Sequence, residues 1–314
     1  MPLQRQIPVF APETFKTWFR KRGTRNHGQP KVILWADTFN NYFFPETAQA
    51  AVEVLEKFGY QVHVPMQHLC CGRPLYDYGF LGQAKKYLIK VLDALEPDTA
   101  AGTPMIVLEP SCCSVFRDEL NGLMPESDRA HRLMENTFLL SEFLAREKHH
   151  ELPKLERKTI VQGHCHHKAI MRLHDEEAVM KNLGLDFQVL DSGCCGMAGS
   201  FGYEAEKYDV SIKCGERVLL PAVRNAALST IIMADGFSCR EQIAQQTGRH
   251  ALHLAEVIQA AQQQTSQRLA WIYPEAQFVA RRKAATRRAR RRSIAALAGL
   301  AVGGLLLAKL AKKR

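Results

Sequence analysis

The sequence predicts an α/β protein made of two tandem, pseudo-symmetric units with parallel sheets, followed by a C-terminal helical tail. Three observations carry this. Short apolar runs such as KVILW (31–35) alternate with stretches of helical periodicity such as ETAQAAVEVLEKFGY (46–60). The trio Cys-Cys-Gly occurs twice, at 70–72 and 194–196, each time after the second strand of such an alternation. The last 34 residues are rich in arginine, alanine and leucine and contain no Asp or Glu.

Residues 1–29 read as an N-terminal extension. In the first unit, 30–150, KVILW has the length and apolar continuity of a strand buried on both faces. ETAQAAVEVLEKFGY follows as an amphipathic helix, and QVHVP (61–65) as a second strand that delivers Cys70, Cys71 and Gly72. A helix over 81–96 and a third strand in MIVLEPSCC (105–113), which runs into a Pro-Ser turn with Cys112 and Cys113, complete the unit. The second unit, 151–262, repeats the order. It reads as TIVQGHCHH (159–167), a helix over 168–183, DFQVLDSGCCG (186–196), a helix over 204–220, and STIIMADGFSC (229–239). Such alternation implies right-handed crossovers within each sheet. Residues 263–280 read as a linker and 281–314 as a membrane-associating tail.

Superposing the two trios sets the register of the repeat. Cys165, 29 residues before Cys194, falls opposite Asp37, 33 residues before Cys70. Cys239 falls opposite Cys112, at 44 and 41 residues after the second cysteine of each trio. These residues lie at the carboxyl ends of predicted strands, where open α/β sheets place their ligand crevices. A disulfide within a trio is a poor reading, because consecutive Cα atoms are about 3.8 Å apart and unstrained bridges need roughly 4.4 Å or more. Converging thiolates suit a metal, and glycine lets backbone N–H groups approach sulfur.

The bulk composition narrows the classes. Of 42 Lys and Arg residues, 12 lie in 281–314, which leaves 30 against 32 Asp and Glu in the rest of the chain. The body therefore carries about −2 and no basic stripe, so nucleic acid is not an expected partner. Nine cysteines and an N-terminus without a secretory pattern place the chain in a reducing, cytoplasmic setting, where clustered cysteines point to metal or redox chemistry.

Five segments, LCCGRPLYDYG, LEPSC, GHCHHKA, DSGCCGMAGSFGYE and ADGFSCREQ, resemble the cysteine-rich CCG domain family. That family includes heterodisulfide reductase B subunits and the iron-sulfur subunit of glycolate oxidase. The likeness spans about residues 30–260 and is strongest to the C-terminal iron-sulfur region of fused FAD-linked oxidases. The family signature is a leading Cys, a CCG trio and a closing CxxC. Here Asp37 stands for the first leading Cys, and Glu109 and Gly236 stand at the first positions of the two CxxC pairs. The second unit keeps Cys165, Cys194, Cys195 and Cys239, enough for one [4Fe–4S] cluster. The first keeps Cys70, Cys71 and Cys112, with Cys113, Asp37 or His68 as a fourth donor, a set suited to zinc or a second cluster unless the unit is retained for its fold alone.

Other features are assigned more plainly. His164, His166 and His167 read as polar neighbours of a metal centre, with His166 the first to test, and Cys214 as a core residue of a helix. The glycines at 193, 196, 199 and 202 match neither phosphate-loop order. In the tail, seven arginines between 281 and 292 precede an apolar run over 293–308. That run is about 24 Å long as a helix, short of a hydrocarbon core of about 30 Å unless Lys309 snorkels. The pattern implies attachment to the cytoplasmic face of a membrane.

The resemblance implies an iron-sulfur electron-transfer component of an oxidoreductase, with no complete substrate-oxidising site of its own. FAD would sit on a flavoprotein dehydrogenase partner that oxidises a 2-hydroxy acid, and electrons would leave to a quinone or other acceptor. The fused relatives carry an FAD domain and ferredoxin-type cysteine runs that do not occur in this sequence, which implies a separate subunit or a detached domain. A zinc-structured binding module and a thiol-disulfide reductase acting on a small disulfide are the alternatives from other classes.

Overall fold

Burial along the first strand, β1 (Lys31–Trp35), explains why its run is apolar without alternation. Val32 and Leu34 enter one hydrophobic cluster, while Ile33 and Trp35 enter a second on the opposite face. Only a sheet covered on both sides needs that pattern. The computed structural model describes residues 1–147, 151–263 and 273–311, with backbone alone for 292 and 296–311.

The chain is a mixed α/β protein with two parallel sheets. In the first sheet, β1 lies between β2 (Gln61–His63) and β3 (Met105–Val107), and β4 (Thr137–Leu139) extends the far edge. The second sheet has β5 (Lys158–Val161) between β6 (Asp186–Val189) and β7 (Ile231–Met233). All pairings are parallel, and the first three strands of each sheet share the order second, first, third.

One hydrophobic cluster joins the two sheets. It contains Val32, Leu34, Val62 and Ile106 from the first, and Val161, Ile231 and Met233 from the second. Between them lie Ala48, Val52 and Leu55 of the Pro45–Lys57 helix and Leu254, Val257 and Ile258 of the Leu254–Gln263 helix, all fully buried. The N-terminal extension joins this core through Phe15 and Phe19 of the Phe15–Arg22 helix.

Several elements differ from their expected form. The helix expected over 168–183 is a π-helical turn, His167–Met171, then a helix, His174–Asn182, separated by Arg172 at φ 65°. A side chain seldom adopts that left-handed conformation, which ends the first turn. The helix expected over 204–220 is split into Tyr208–Glu216 and Leu219–Asn225. The tail is helical over Ala276–Ala311, and Arg282 holds its start to the body by an ion pair with Glu46 and by stacking on Phe44 at 4.0 Å. The apolar run at 293–308 lies mostly outside the described side chains. Among the described residues no helix is long and apolar enough to cross a membrane.

Because the core is continuous, Leu55→Ala should destabilise both sheets at once. The expected result in urea unfolding is a single transition weakened by about 2–5 kcal/mol, the usual cost of truncating a buried leucine. Two separated transitions would contradict a shared core.

Candidate metal centre

The loops after the second-sheet strands bring four thiols together. Cys165 follows β5, Cys194 and Cys195 follow β6, and Cys239 lies in the first turn of the Phe237–Thr247 helix after β7. Contacts run in sequence: Cys165 touches Cys194, Cys194 touches Cys195, and Cys195 touches Cys239. Cys195 and Cys239 are buried, Cys194 is partly covered and Cys165 is exposed, so the set opens to the surface at one end.

Backbone geometry explains why glycine follows each cysteine pair. Gly196 sits at φ 90°, and an added Cβ would lie 2.0 Å from Ser211 O. Its N–H donates to Cys194 Sγ at 3.3 Å. In the first trio Gly72, at φ 81°, likewise donates to Cys70 Sγ at 3.5 Å. Both turns thus aim a backbone N–H at the first sulfur of the pair.

Crowding sets the acidity of these thiols. Cys165 is pushed well above the usual thiol range by its contact with Cys194 and by burial. Cys195 is pushed up by contact with Cys194 and Cys239, while Cys194, which accepts from Cys165 and Cys195, is held far down. Thiolates held in contact in a low dielectric repel strongly. A metal body would remove that conflict, so the donor set fits an iron-sulfur cluster bound by four cysteines.

The first set is smaller. Cys71 Sγ lies 3.1 Å from Cys112 Sγ, and Cys70 contacts Cys71. Asp37, fully buried, is pushed up to about 6 by burial and by the Glu109 carboxylate. It caps the helix Thr38–Tyr42, accepting from Phe39 and Asn40 N–H at 2.9 Å each. Cys113, one residue further round the Pro110–Ser114 helix, is turned away from Cys71: its charged neighbours are Glu142 and Arg117, and burial and Glu142 push its thiol up.

The two sets adjoin. Glu109 accepts from Ser111 N–H and Oγ at one oxygen, and from Phe237 N–H at 2.8 Å at the other. It therefore caps the helices that carry Cys112 and Cys239. Arg240 crosses the same junction, donating to Thr47 Oγ1 and Asn40 Oδ1, and Asn40 in turn donates to Asp37. Phe237 stacks on Phe39 at 4.2 Å.

His164 is more enclosed than His166. It is buried, held neutral down to about 3 by burial, and its Nδ1 accepts from His166 N–H at 3.3 Å. Its ring occupies the space beside Gly236, where an added Cβ would lie 2.3 Å from Cδ2. Arg5 is a further member that sequence reasoning misses: it reaches from the extension to Gly202 O at 2.8 Å and Ser211 Oγ at 2.9 Å, bracing the glycine loop. Its isolated position, 189 residues from Cys194, carries no signal. Cys214 is only half-buried.

Residues 37–117 match the model of the cysteine-rich domain called CCG. The match opens at Asp37 and closes just past Cys112 and Cys113. The chain is similar to the C subunit of the anaerobic glycerol-3-phosphate dehydrogenase of Escherichia coli (strain K12), 27% identical over 80% of this chain. It spans 64% of that relative's length. Lactate utilization protein A of Bacillus licheniformis is 28% identical over 73% of this chain and 98% of its own length. D-2-hydroxyglutarate dehydrogenase of Pseudomonas putida is 27% identical over 72% of this chain but only 22% of its own length.

The contact between His164 and Gly236 makes a paired prediction. Gly236→Ala should cost about 1–3 kcal/mol by overpacking, and adding His164→Ala should return part of it. Chemical unfolding of the single and double variants measures both; purely additive losses would mean that the two sites do not press on each other.

Proposed function

We propose that this chain, which carries a CCG cysteine-rich domain, is an iron-sulfur electron-transfer component of an oxidoreductase. The observation that carries the reading is the convergence of Cys165, Cys194, Cys195 and Cys239 from three loops at the carboxyl ends of one sheet. A [4Fe–4S] cluster there would exchange electrons singly, at a potential set by hydrogen bonds to sulfur and by exposure. The chain supplies both: Gly196 N–H at Cys194, burial of Cys195 and Cys239, and Cys165 at the exposed edge where a redox partner could approach.

The two units are read as copies of one design, from the matching strand order and the matching glycine turns. In the first copy Cys70, Cys71 and Cys112 with Asp37 would hold zinc or a second cluster, since thiolate and carboxylate are both zinc ligands. The electron donor is read as a flavin-bearing dehydrogenase. Two of the three relatives are named for lactate and 2-hydroxyglutarate, both 2-hydroxy acids, and two are named as dehydrogenases. The acceptor is read as a quinone or another carrier. The arginines of 281–292 would hold the tail against anionic headgroups on the cytoplasmic face of a membrane.

Serine substitutions test the site. After anaerobic isolation and reduction with dithionite, the wild-type chain should give an EPR signal that Cys194→Ser and Cys195→Ser each abolish, with the loss of about four irons per chain. Cys113→Ser and Cys214→Ser should keep both. Iron and signal retained in the first pair, or absent from the wild type after reconstitution, would overturn the reading.

A further inference from the structure

Beside the thiols lies a second group of metal-ligating side chains. His167 stands at the start of the π-helical turn after β5, Glu176 in the first turn of the His174–Asn182 helix, and Asp235 between β7 and the Phe237–Thr247 helix. One nitrogen and two carboxylate oxygens from these residues lie within 4.8 Å of one another. The three are 2%, 2% and 6% exposed.

Their mutual bonding is incomplete. Glu176 Oε2 pairs with His167 Nδ1 at 3.0 Å, whereas His167 Nε2 has no partner. A buried polar atom left unpaired is costly, so native proteins seldom keep one without a ligand beside it. Asp235 is held in place by Leu254 N–H, which donates to its Oδ1 at 2.9 Å.

Charge points the same way. His253, 3.6 Å from Asp235, is already committed: Nδ1 accepts from Ala255 N–H at 3.0 Å and Nε2 donates to Leu108 O at 3.1 Å. That pattern fixes it as the neutral tautomer. With His253 so committed, a divalent cation held by His167, Glu176 and Asp235 would balance the two carboxylates in this buried setting.

We propose that His167, Glu176 and Asp235 form a mononuclear site for a divalent first-row cation, with Zn2+ the reference case. One imidazole and two carboxylates are ordinary zinc ligands and suit Mn2+ and Fe2+ as well. The ligands come from three segments, two of which carry Cys165 and Cys239, so the ion ties together the two loops that present those thiols. This site does not depend on whether the cysteines hold iron.

Co2+ is the probe, because thiolate-bound Co2+ shows strong near-ultraviolet charge transfer and Co2+ bound by nitrogen and oxygen shows only weak visible bands. The full chain, stripped with EDTA, should take up one Co2+ with a sulfur-free spectrum, displaced by Zn2+. Glu176→Gln and Asp235→Asn should each bind it at least about tenfold more weakly. Circular dichroism checks the fold of each variant; if one unfolds, the other and the wild type still decide. Absence of a sulfur-free equivalent in the wild type, or equal binding in a folded variant, would overturn the site.

Discussion

The carboxylate of Glu109 holds the candidate centre in its present form. Buried where a loop from each sheet meets, it accepts N–H groups from the first turns of the helices bearing Cys112 and Cys239. Helix N-termini expose unpaired donors and a partial positive charge, and one anion here serves two of them. The stacking of Phe237 on Phe39 and the reach of Arg240 to Asn40 and Thr47 depend on the alignment that results. A cysteine at position 109 would have offered a metal ligand; a glutamate offers a bridge between two sites.

Close packing accounts for the remaining constraints. Gly196 leaves no room for a Cβ against Ser211 O, and Gly236 leaves none against His164. The imidazole of His164 fills the space beside Gly236, and that ring with the surrounding loops encloses the four thiols. The glycine loop in turn is held from outside by Arg5.

Much of this is legible in the sequence because it is local or periodic. β1, β2, β3, β6 and β7 fall within the runs that predict them and β5 begins one residue earlier, at Lys158, while the spacing of Cys165, Cys194, Cys195 and Cys239 already places them at strand ends. The strand Thr137–Leu139 is not legible, because it lies directly between the helices Asp128–Glu135 and Leu140–Arg146 and its apolar residues run on into the second of them. Arg172 and the break before Leu219 interrupt helices whose apolar spacing continues through them. Sequence alone sets Cys113 beside Cys112 as a possible ligand, yet a helix turns consecutive side chains by about 100°: Cys112 meets Cys71, while the charged neighbours of Cys113 are Glu142 and Arg117. Glu109 with Phe237, His164 with Gly236, and Asp235 with His167 are contacts between loops distant in sequence, which no single-chain pattern encodes.

The account stands on the thiols of Cys165, Cys194, Cys195 and Cys239 forming a one-electron centre rather than a structural zinc site or a dithiol. An anaerobic redox titration of the full chain, followed by EPR, tests this most directly. The account predicts a paramagnetic signal that grows along a one-electron Nernst curve, with a slope of about 59 mV per tenfold change. A silent protein containing zinc, or a two-electron thiol-disulfide step with a slope of about 30 mV, would contradict it.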